Sequence, residues 1–201
     1  MSEQIKNDIS QAATDLGHPR VPGAGAFGMA VLLISLSVLF SASMVALVVI
    51  RSRASAWPPH GMPRLPSSLW ISTVVILLAS AAVQRALNLI RRGEKERLAR
   101  YLVATLILGL IFLAAQTLNW VEFYVAIRHI AFSGAYLGMF YVLTGLHAAH
   151  VIGGLIPLAV VLSRARQGRY SKEFHPGVRY IAMYWHFLDV VWIVLFGLIY
   201  F

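Results

Sequence analysis

The chain has 201 residues, no cysteine, 59% hydrophobic residues and only 12% charged ones. A soluble domain carries roughly a quarter charged residues, so too few are present to coat a globule. That argues against a soluble enzyme, a disordered chain and a disulfide-stapled secreted scaffold, and leaves an all-α polytopic membrane protein. The formal charge of +9 sits in short clusters between apolar runs, a pattern of membrane orientation and not of nucleic-acid binding. Without cysteine, thiolate metal sites and thiol nucleophiles are also absent.

Residues 1–26 are polar, with Pro19, Pro22, Gly23 and Gly25 just before the apolar onset. They read as an N-terminal segment ahead of a single five-helix membrane domain, 27–201. The small-residue triplet Ser41-Ala42-Ser43 does not read as a cleavage site. The leader before it is long and not basic, and the apolar run continues to Ile50.

Five runs are long enough to span a bilayer, which takes about 20 mostly apolar residues: 27–50, 68–90, 101–121, 135–162 and 178–201. They lack the alternation of barrel strands and read as helices. The first carries only serines (Ser35, Ser37, Ser41, Ser43), which can bond their own backbone. A stiff loop follows, Trp57-Pro58-Pro59-His60-Gly61-Met62-Pro63, with Trp57 and Trp70 suited to the membrane interface. The second run places Gln84, Arg85 and Asn88 near its inner end. The third lines one face with Gln116, Asn119 and Glu122.

The fourth run holds His147 and His150 on one face and a small-residue stripe, Gly145, Ala149 and Gly153, on another. Pro157 predicts a kink near Gly153-Gly154. The fifth holds His186 and Asp189 three apart. At about 1.5 Å per residue, His150 and Asp189 reach similar depths, so a hydrogen-bonded pair between them is geometrically open.

Lysine and arginine are unevenly shared. One side carries twelve: Lys6, Arg20, five in 91–100 and five in 163–179. The other carries Arg51, Arg53, Arg64 and Arg128, and Arg85 lies within a span. The expected topology therefore puts the N-terminus in the cytoplasm and the C-terminus outside.

Ionisable groups at membrane depth are costly and face protein or water. Three chemistries suit this set: a metal held by histidines and a carboxylate, a haem between His147 and His186, or a polar core that fixes helix docking. The metal reading lacks a second carboxylate on the first two helices. The haem reading lacks matched depth. The expectation is the polar core, built from His147, His150, His186, Asp189 and Glu122, with Gly145, Ala149 and Gly153 packing helices and no catalytic, cofactor-binding or metal-ligating residue.

The C-terminal residues carry a resemblance. Tyr184-Trp185-His186-Phe187-Leu188-Asp189-Val190-Val191-Trp192 resembles the last-helix signature of subunit III of the haem-copper terminal oxidases, the cytochrome c and quinol oxidases. Thr144-Gly145-Leu146-His147-Ala148-Ala149-His150-Val151-Ile152-Gly153-Gly154 resembles the preceding helix, which reads G-x-H-x-x-H-V-x-x-G. The Trp57-Pro58-Pro59 loop, Leu77-Leu78-Ala79-Ser80 and the stretch from Gln116 to Glu122 fit in the same order. The likeness covers roughly 27–201 and is closest in form to five-helix bacterial members.

The resemblance implies a non-redox subunit with no haem or copper of its own, both lying in a partner. It implies docking beside catalytic subunit I, phospholipid binding, and support of oxidase stability and proton uptake in aerobic electron transport. The expected place is the bacterial inner membrane, with no nucleic-acid partner. Three positions depart from the family: Ser35-Leu36 where many relatives have Ser-Glu, Asn119 in place of a carboxylate, and Arg179 where many have glutamate. An accessory subunit of a nitric oxide reductase and a self-sufficient small transporter are the other readings. The electron donor, cytochrome c or quinol, stays open.

Overall fold

A computed structural model describes residues 24–63, 65–129 and 134–201. Most of the polar N-terminal segment, with Lys6 and Arg20, lies outside the described residues, as does Arg64. Five helices follow in order: α1 (Ala24–Arg53), α2 (Leu69–Arg91), α3 (Lys95–Ile127), α4 (Ala135–Arg166) and α5 (Pro176–Tyr200). Each is long and apolar enough to cross a membrane, and the described residues contain no strand.

The spans agree with the apolar runs, but the helices outrun them. α3 has 33 residues, about 50 Å at 1.5 Å per residue, against a hydrocarbon core of about 30 Å. Lys95–Arg100 and Glu122–Ile127 continue the helix past the apolar run 101–121. Once nucleated, each further residue adds a backbone bond, and Leu98, Phe123 and Ile127 in these end segments still bury their side chains. α4 likewise runs on to Arg166 and continues as one helix through Pro157.

The Lys/Arg-rich loops at one end, here the basic end, are closed by the same device. Gly93 (φ +83°) and Gly168 (φ +71°) take the left-handed conformation just after α2 and α4. Gly93 N–H donates to Ile90 O and Glu94 N–H to Leu89 O; Gly168 N–H donates to Ala165 O and Arg169 N–H to Arg164 O. These paired bonds satisfy carbonyls left open at a helix end, and a Cβ at either glycine would be strained. Pro176 then opens α5, where its missing N–H costs nothing.

α2 packs on α3 and α5, α3 on α4, and α4 on α5, so these four helices close a ring. α1 stands outside it and touches only α4 and α5. It buries Leu36, Phe40 and Leu47 and leaves most of its surface for lipid or a partner. Three of its serines are spent locally: Ser37 donates to Leu33 O (2.7 Å), Ser43 to Leu39 O (2.8 Å) and Ser52 to Val49 O (2.9 Å).

Two glycines set how closely the ring closes. A Cβ on Gly109 of α3 would lie 2.7 Å from the Trp185 ring and 2.9 Å from Leu155. One on Gly154 of α4 would lie 2.6 Å from the Tyr184 ring.

Candidate functional site

The polar side chains within the spans form a ladder of helix-to-helix bonds. At the end away from the basic loops, Ser68 Oγ donates to Glu122 (2.9 Å), and Glu122 itself is exposed at the end of α3. One turn inward, Asn119 Nδ2 donates to Ser72 Oγ (2.9 Å). Trp192 Nε1 donates to Thr73 Oγ1 (3.0 Å), and Trp120 Nε1 donates to Thr144 Oγ1 (2.9 Å). Each threonine hydroxyl also donates to its own helix, at Leu69 O and Phe140 O. Back-bonding fixes the hydroxyl so that its lone pair faces the indole.

Nearer the basic end, His186 of α5 is held by two residues of α2. Its Nε2 meets Gln84 Oε1 at 2.8 Å and its Nδ1 meets Ser80 Oγ at 2.6 Å. An amide oxygen only accepts, so the neutral ring carries its proton on Nε2, and Ser80 donates to Nδ1. Gln84 Nε2 in turn donates to Asn88 Oδ1 (3.2 Å). Asp189, buried one turn from His186, lies beside Ser80. Ser80, Gln84 and Asn88 recur every four residues along one ridge of α2. That spacing is the sequence signal for His186's partners on α2.

The other two histidines go elsewhere. His147 is fully buried among the rings of Trp192 (5.0 Å between centroids), Phe112 (5.6 Å) and Phe40 (6.3 Å). His150 is half-buried, with Nδ1 bonded to Leu146 O (2.7 Å) of its own helix, so the pair with Asp189 is not formed. Depth matched, but His150 turns toward Phe40 of α1 (5.0 Å) while Asp189 turns toward α2. His147 and His186 contact different helices. Among the described residues, no three His, Cys, Asp or Glu side chains gather in a metal-holding group.

The small-residue stripe faces away from the ring. Ala149 and Gly153 are exposed, and a Cβ on Gly145 would meet nothing within 4 Å.

One large opening adjoins this core. Between α1 and the α4–α5 pair lies an apolar groove of about 700 Å³, lined by Met29, Leu32 and Leu36 on one wall and Ile156, Val160 and Tyr184 on the other. His150 marks its inner limit and Arg164 its mouth at the basic end. These two stand fourteen residues apart on α4, about 21 Å along the axis. Arg164 also borders a smaller hollow with Arg169, Tyr170 and Phe174.

The comparisons with known proteins agree with this arrangement. The chain matches the family described as cytochrome c oxidase subunit III over residues 2–201. It is 36% identical over 186 residues to "Cytochrome c oxidase subunit 3" of a Synechocystis species, covering 92% of this chain and 78% of the relative. The protein of the same name from Thermostichus vulcanus is 30% identical over 201 residues, covering 100% of this chain and 98% of the relative. That from Cyprinus carpio is 36% identical over 203 residues, covering 96% and 76%. Matched along its whole length, with five spans built around the last-helix motif, the chain belongs to the cytochrome c oxidase subunit III family.

Proposed function

We propose that this chain is the non-catalytic membrane subunit that docks beside the haem- and copper-bearing subunit of a respiratory oxidase. There it steadies that subunit and its proton uptake during oxygen reduction. The observation that carries the reading is the family match from residue 2 to residue 201. Members of the family hold neither haem nor copper, which sit in other subunits. The matched relatives are named as cytochrome c oxidase subunits, so the nitric oxide reductase and transporter readings gain no support.

Each group then has a structural task. His186, with Ser80 and Gln84, ties α5 to α2; His147, Asp189 and His150 shape the ring's interior and its contact with α1; Glu122 anchors the start of α2. The outward stripe of Gly145, Ala149 and Gly153 packs on a helix of a partner subunit, where small residues allow backbones to approach. The α1 groove takes one acyl chain of a phospholipid, and Arg164 meets its phosphate by a charge-assisted hydrogen bond. The basic end faces the cytoplasm: ten lysines and arginines of the described residues lie there against three at the other end. The membrane is the bacterial inner one, and residues 27–201 act as one membrane unit behind a cytoplasmic polar tail.

Co-purification from native membranes tests the whole reading. A tagged chain should bring down a haem- and copper-containing oxidase core, and the separated chain should show no Soret band. A stoichiometric haem band on the separated chain, or recovery without any oxidase core, would overturn it.

A further inference from the structure

The ladder of polar bonds has a break at the centre of the ring. On α2 the bonded positions run Ser68, Ser72 and Thr73, then resume at Ser80, Gln84 and Asn88. From Thr73 to Ser80 is about 10 Å of helix rise, occupied on that ridge by Ile76, which has no exposed surface. The neighbouring helices place polar atoms at this level. On α3, Gln116 lies between Phe112, which touches His147, and Trp120, which bonds Thr144, so it stands level with His147. Asn119 is one turn further on, bonded to Ser72. On α5, Trp192 rests on both Phe112 and His147, with Asp189 one turn below it.

All four residues are buried: His147 at 0%, Gln116 and Asn119 at 1% and Asp189 at 5% exposure. Yet six of their polar atoms have no hydrogen-bonding partner among the described residues. These are both ends of the Gln116 amide, Asn119 Oδ1, both His147 nitrogens and Asp189 Oδ1. Buried polar groups in native proteins are nearly always satisfied, by protein or by internal water. The six come from three helices and are spread over the stretch between the levels of Ser72 and Ser80, and they supply donors as well as acceptors.

We propose that the centre of the α2–α5 ring is a hydrated compartment, in which internal waters bridge Gln116, Asn119, His147 and Asp189 and join the two halves of the ladder into one continuous hydrogen-bonded file. About three waters suffice. That number spans a gap of about 10 Å in steps of about 2.8 Å, and each water makes about three bonds. The four residues are then water ligands as much as helix docking groups, which explains polar side chains where an apolar core would pack.

The test uses the intact oxidase complex containing this chain. A density map fine enough to show ordered solvent should contain water peaks about 2.7–3.2 Å from the Gln116 amide and the His147 ring. Direct side-chain contacts, or an empty apolar space at that level, would overturn the proposal. Gln116→Met gives an independent sign. In a hydrated centre it removes a water ligand and strands His147 and Asn119, so the temperature at which the subunit leaves the complex falls. In a dry centre it removes an unmatched amide, and that temperature holds or rises, which would refute the proposal. The wild-type map decides the question even if the variant fails to assemble.

Discussion

Two threonines show how single residues do their work in this bundle. Thr73 and Thr144 each give the hydroxyl proton to their own helix and offer the oxygen to a tryptophan across the interface. A large ring is thus fixed by one directional bond as well as by its burial. Trp185 is placed differently, against the bare backbone of Gly109. Gly109→Val should therefore force the ring from its seat, at a cost of about 1–3 kcal/mol for overpacking. The check is the temperature at which this subunit dissociates from the complex, which should drop clearly. Close packing at Gly109 and Gly154 was not legible in the sequence. The regular stripe at Gly145, Ala149 and Gly153 was, yet it faces outward. Spacing defines a helix face but does not say which neighbour that face meets. The same limit explains His150 and Asp189, which share depth but point to different helices.

The five spans were legible because hydropathy over about 20 residues reports directly on the lipid thickness. Their ends were not, since the charged turns of α3 and α4 continue the helix past the apolar run. Nor was the peripheral place of α1. Before its last turn, with Arg51 and Arg53, its only polar side chains are serines, which agrees with a helix that needs no bonded partner along most of its length. Beside the burial of Leu36, Phe40 and Leu47, α1 is tied by Arg51, whose guanidinium donates to the carbonyls of Leu198 (3.2 Å) and Phe201 (2.6 Å) at the end of α5. A cation at a helix C-terminus is favourable. Arg51→Ala should loosen this junction by about 1 kcal/mol, a factor of roughly five in local opening. Amide exchange of the last turns of α1 and α5 in the purified complex reads it.

The connector between α4 and α5 carries a pH dependence. The Glu173 carboxyl is held below its ordinary value of 4.5 by its own backbone N–H first, then by the Ser171 hydroxyl, with Lys172 and Lys95 nearby. A carboxyl lowered in the folded state stabilises it fully above the ordinary value. That support fades as pH falls through the lower folded one. Amide exchange at residues 171–175, taken relative to the intrinsic rate at each pH, should thus stay flat down to about pH 4.5 and rise below it. Glu173→Gln should abolish that rise.

At the scale of the molecule, a closed ring of four helices with a fifth leaning on it leaves an apolar groove of about 700 Å³ between α1 and the α4–α5 pair. α1 meets α5 at both extremities: Arg51 at one, and at the other Gly25, where a Cβ would lie 2.8 Å from the Tyr180 hydroxyl. Between them the groove opens, with Arg164 at its mouth. If a lipid phosphate sits there, Arg164→Ala should weaken retention of one bound phospholipid about tenfold, the worth of a charge-assisted bond. Mass spectrometry of the intact complex would show this as loss of one lipid from the bound set, with assembly preserved. Retention unchanged would remove Arg164 from the site.

The place of that groove between membrane-spanning helices has a further consequence. If the proposed acyl chain occupies it, that guest would exchange with the lipid around the subunit, so its abundance would follow the makeup of the adjoining leaflet. A cell that remodels its lipids would thereby re-equip this subunit without making a new copy of it.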